Sequence, residues 1–173
     1  MAKPVRINPE KLLEAAEELL DSNSGGRPRS IRLRRAVSSA YYGLFHHICL
    51  EGAATLLPKG TQQQQLWIAR AFGHREIKDC CSWVSGRKGN ITQQVRPIVA
   101  ELKTGPLLSV SDAFCDLQEA RHRADYDHLA PFTKAAVGGY IEDARRAMSE
   151  MALTDTNHRH AYFALLALKC RLA

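Results

Sequence analysis

The sequence predicts an all-α fold, a single helical bundle of five or six helices. Three observations carry this. Apolar residues recur at the spacing of a buried helix face, and Ser, Thr and Asn stand where helices should start while Pro and Gly stand where they should stop. No segment alternates apolar and polar residues as a half-buried strand would. At 173 residues and 45% hydrophobic, the chain can bury one substantial core. Residues 1–173 are therefore read as one domain, with its core in 30–153 and an additional C-terminal helix in 154–173.

Taken in order, Asn8, Pro9 and Glu10 supply a cap, a first-turn proline and an acid matched to the helix dipole. They open a helix whose Leu12, Leu13, Ala16, Leu19 and Leu20 recur at helical spacing and which ends near Ser22. After the turn-rich run SNSGGRP, Ser30 starts a long helix to about Leu57, with Val37, Ala40, Tyr41, Leu44, Phe45 and Ile48 on one side. Pro58 to Gly60 stops it. A third helical region runs from Thr61 to about Val84 through Leu66, Ile68, Ala69, Phe72 and Ile77, with a break at Gly73. Ser85 to Pro106, rich in Gly and Pro, reads as a long loop with room for a short helix. Ser109 or Ser111 then caps a helix through His128, Pro131 ends it, Thr133 caps the next to about Leu153, and Asn157 to Leu172 makes the last. Tyr162, Phe163, Leu165, Leu166 and Leu168 give that last helix an apolar circumference suited to core packing or a dimer seam.

The formal charge of +6 suits an anionic partner such as nucleic acid. Arg27, Arg29, Arg32, Arg34 and Arg35 crowd into one short stretch, and planar guanidinium groups grip phosphates bidentately, so these five are the candidate RNA-binding residues. A solvated loop and helix start is the plainer reading of the same run. No apolar stretch is long enough to span a membrane and the N-terminus lacks a signal-peptide core, so no membrane and a cytoplasmic location are expected. Cys49, Cys80, Cys81, Cys115 and Cys170 lack ligand spacing and read as reduced, mostly buried thiols. His46-His47 and His158-x-His160 lack a completing carboxylate or thiol, so neither metal nor cofactor is expected. Nucleotide-fold and hydrolase motifs are absent.

The run RHRADYDH, Arg121 to His128, breaks the apolar pattern. On a helical wheel from Val110, Phe114, Leu117 and Ala124 fall at about +40°, −20° and −40°, and Arg121, Asp125 and His128 share their face at about +20°, +60° and 0°. Burying a cation, a carboxylate and an imidazole costs several kcal/mol unless they are paired. Either Arg121 and Asp125 form an i, i+4 pair at a helix contact, or the three groups line a cleft where a phosphate sits. In the second case Arg121 holds the phosphate, His128 moves protons and Asp125 orients the imidazole. On the second helix Arg35, Ser38, Ser39, Tyr42 and His46 form a polar strip, read as a solvated face from which Tyr42 and His46 could also line the cleft.

RRAVSSAYYGLFHH (Arg34 to His47) and EARHRADYDH (Glu119 to His128) together resemble the HEPN superfamily of small helical-bundle proteins. The likeness spans roughly Arg34 to Met151. It implies a metal-independent, toxin-like endoribonuclease of toxin-antitoxin or phage-defence systems, acting as a homodimer whose Arg and His meet their symmetry mates in a composite cleft. The motif carries onto Arg121, followed by the polar His122, and onto His128, with Asp125, His122, Tyr126, Tyr42 and His46 in support. The implied reaction is attack of the ribose 2′-hydroxyl on the adjacent phosphate, which DNA cannot undergo. A nucleotidyltransferase-type antitoxin is the implied partner. The tyrosine that such toxins carry after the histidine is replaced here by Leu129, Ala130 and Pro131, so modification of that tyrosine does not carry over. The alternative is a non-catalytic HEPN module that binds a nucleotide, RNA or a partner protein through the same face.

Overall fold

A computed structural model describes residues 7–21, 30–89 and 91–172, the side chains of 169–172 excepted. Among the described residues there are eight helices and no strand: α1 (Pro9–Asp21), α2 (Ser30–Leu56), α3 (Gln62–Ala71), α4 (His74–Val84), α5 (Arg96–Leu102), α6 (Pro106–Tyr126), α7 (Lys134–Leu153) and α8 (Thr156–Leu172). The expected count of five or six is corrected on two points. Gly73, in extended backbone, divides the third helical region into α3 and α4. The segment read as a loop contains α5, which Pro97 opens in its first turn and whose Val99 and Leu102 are buried. Helix α6 also begins earlier than expected, at Pro106.

Capping explains the other boundaries. The Asn8 carboxamide accepts from Glu10 N at 2.9 Å, Thr133 accepts from Ala136 N at 3.1 Å, and Thr61 and Gln64 close a reciprocal capping box on α3. Helix α2 is the central element and packs against α1, α3, α6, α7 and α8. Its predicted apolar face is buried throughout, with Val37, Ala40, Leu44 and Ile48 fully enclosed. Gly52 lets two rings close on α2, since a Cβ there would lie 2.8 Å from both Phe72 and Phe163. Cys49, Cys80, Cys81 and Cys115 are buried free thiols, and burial pushes Cys81 up to about 12. No helix among the described residues is long and apolar enough to cross a membrane.

Candidate functional site

The site forms where the polar strip of α2 meets the last turns of α6. Phe114, Leu117, Ala120 and Ala124 keep α6 pressed on the core, which leaves Arg121 and Asp125 at the edge of the packed face. Nε of Arg121 lies 2.7 Å from Asp125 Oδ2, with the two side chains 25% and 31% exposed. That Nε has no aligned acceptor, so the pair is a charge contact rather than a directed hydrogen bond. Two residues of α2 brace it. Ser38 donates to Asp125 Oδ1 at 2.9 Å, and Nη2 of Arg121 donates to the Tyr42 hydroxyl at 3.1 Å. The guanidinium also lies over the rings of Tyr42 and Tyr126 at 5.7 Å and of Tyr41 at 6.0 Å. Burial works against its charge, but Asp125 and Tyr42 outweigh burial and raise its pKa. Nη1 has no partner among the described residues.

Beside Arg121 an open hollow of about 380 Å³ is lined by Lys78, Gln118, Glu119, Arg121, His122 and Arg123. Three permanent cations face one carboxylate there, a balance that favours an anion. His122 and Tyr126, one turn apart, have ring centres 4.9 Å apart, and Tyr126 is 62% exposed.

Two imidazoles also stand near Tyr42. His74, the first residue of α4, stacks on Phe45 with ring centres 3.8 Å apart, and its Nδ1 meets the Tyr41 hydroxyl at 2.6 Å. The Tyr41 hydroxyl thus occupies Nδ1 and leaves His74 Nε2 without a partner among the described residues. Burial, then the Arg121 cation, lowers the His74 pKa, and burial, then His74, lowers that of His46. Both rings are therefore neutral at neutral pH.

Arg121, Asp125, Tyr42 and Tyr126 thus come together, with His46 behind Tyr42. His128 does not join them as the wheel expected. Helix α6 ends at Tyr126, Asp127 is extended, and His128 lies exposed on the following turn, away from the angle a continued helix would give it. Arg34, grouped with the phosphate-gripping arginines, has another use. From α2 it donates to the carbonyls of Arg123, Ala124, Asp127, His128 and Ala130 and caps the C-terminus of α6. Arg35 is exposed and Arg32 half-buried, while Arg27 and Arg29 lie outside the described residues. Sequence reasoning missed Ser38 as a brace, His74 and Lys78. Only the break at Gly73 signalled the position that makes His74 the start of a helix.

Among the described residues no group of His, Cys, Asp or Glu is placed to hold a metal ion. Comparison of the chain with family models, with curated proteins and with solved structures finds no match.

Proposed function

We propose that the chain is a metal-independent endoribonuclease of the HEPN type, toxin-like and homodimeric, with Arg121 receiving the scissile phosphate and His128 moving protons. The observation that supports it most is Arg121. Asp125 and Tyr42 hold its guanidinium in place, it lines a basic hollow, and its Nη1 has no partner among the described residues. Such a preorganised cation lowers the energy of a charged transition state by several kcal/mol in a water-poor cleft. The ribose 2′-oxygen bonds to phosphorus as its proton passes to one His128, and the P–O5′ bond breaks as the second His128 protonates the leaving oxygen. The products are a 2′,3′-cyclic phosphate and a 5′-hydroxyl.

One chain supplies a single His128, and that residue is not among the partners of its own Arg121, so the reaction takes a second copy. Tyr126 and Leu129, which flank the His128 turn, are 62% and 92% exposed and offer apolar surface for that copy to cover. A cytoplasmic setting and a nucleotidyltransferase-type antitoxin belong to the same reading.

Purified protein incubated with labelled RNA in EDTA should generate cyclic-phosphate ends and leave DNA of the same sequence whole. RNA left equally intact by wild type and His128→Ala would sink the enzyme. The bracing of Asp125 by Ser38 favours a second reading, a non-catalytic module in which Arg121 and Asp125 are a fixed pair that binds RNA, and RNA retained but uncut is its signature.

A further inference from the structure

Between α2, α3 and the start of α4 lies a groove of about 320 Å³, large enough for a small planar ligand. Phe45, His46, Phe72 and His74 contribute four rings to its lining, Leu66 and Ala69 of α3 close it opposite, and Arg70 adds a cation. No carboxylate is among its lining residues. Phe45 and His74 stack face to face, inclined by only 18°, and His74 Nε2 remains for a hydrogen bond because the Tyr41 hydroxyl occupies Nδ1.

The groove also adjoins the cationic site. The Tyr42 ring centre is 6.2 Å from that of His46, 5.9 Å from that of His74 and 5.7 Å from the Arg121 guanidinium. An aromatic slot with neutral imidazoles, bare of acids and one ring away from a held guanidinium, matches a planar heterocycle carrying an anion. We infer that this groove takes an unpaired RNA base while Arg121 holds a phosphate of the same strand. The inference rests on the reading of the protein as RNA-directed. It places the base on α2 and α4, away from the reacting groups, so the groove acts through selection of the strand and register presented to Arg121.

The test measures affinity for short 2′-O-methyl RNA, which cannot be cleaved, against a series in which each base in turn is abasic. Removing one base should weaken binding about tenfold, the usual scale of one base stacked on aromatic side chains. Ala69→Trp, which places an indole in the groove, should bring the intact oligomer to the level of that abasic one. Equal binding across the series by the wild-type protein overturns the groove assignment and leaves the Arg121 reading standing. Binding to none of the oligomers overturns both. If the series binds equally and Ala69→Trp instead abolishes dimerisation in the ultracentrifuge, the groove is a contact between copies and the inference is wrong.

Discussion

At the C-terminal end of α6, Arg34 reaches across from α2 and donates to five backbone carbonyls. On the flank of the same helix, Arg121 is held by one carboxylate and one hydroxyl and keeps Nη1 without a partner among the described residues. The two positions pose different electrostatic problems. The last carbonyls of a helix have no intrahelical donor and carry its negative dipole end, so a guanidinium there completes the architecture. It also lies 5.4 Å over the Phe132 ring and ties the turn after α6 to α2. Along the flank the backbone is already satisfied, and the cation on offer can face a ligand. Arginines that count equally toward the charge of the chain therefore divide into one that builds the scaffold and one that the scaffold presents.

Removing each in turn probes that division. Arg34→Ala should have the largest effect on stability, about 2–3 kcal/mol, because carbonyls lose a charged donor, and the melting temperature should fall about 5–10 °C. Arg34→Lys should recover only part of it, since an ammonium cannot reproduce the fork. A variant that melts like wild type by circular dichroism would erase the contrast between the two arginines. Ser38→Ala removes one brace from Asp125 and should cost about 1 kcal/mol by the same measurement, with RNA affinity reduced but not lost. His128→Ala should abolish cleavage and leave the melting curve in place, because its side chain is exposed.

The smallest effect is on pH dependence. The folded-state pKa of His74 lies below the ordinary 6.5 through burial and the Arg121 cation. As the pH falls below 6.5 the unfolded chain takes up this proton first, so stability is full above that value and declines until the folded pKa is passed. His46 and His47 shift in the same direction. The melting temperature at about pH 5.5 should lie below that at about pH 7.5, with a shallower slope in His74→Gln. A slope unchanged by that substitution would mean that protonation of His74 makes no contribution to it.

What could be read from the sequence was local. Asn8 and Thr133 announce their helices, and the i, i+4 spacing of Arg121 and Asp125 announces their contact, because caps and helical neighbours depend on a few adjacent residues. The polar strip of α2 is visible in the sequence, where it reads as a solvated face. Ser38 and Tyr42 instead meet α6, a packing no spacing rule encodes. The use of Arg34 is set by acceptors 89–96 residues away. The wheel misplaces His128 because α6 ends at Tyr126, two residues before it. Asp127 turns its carboxylate back to Leu129 N and Ala130 N, a local competitor to the helix that was already present in DYDH before Pro131.

Arg121→Ala tests the division between scaffold and site most directly, with RNA affinity and melting temperature measured on the same preparation. With both members of the ion pair partly exposed, the melting temperature should fall by no more than about 3 °C. Affinity for uncleavable RNA should drop at least about tenfold, the scale of one lost phosphate contact by a held guanidinium. Unchanged affinity, or a loss of stability as large as that of Arg34→Ala, would contradict that division and make Arg121 a second structural arginine.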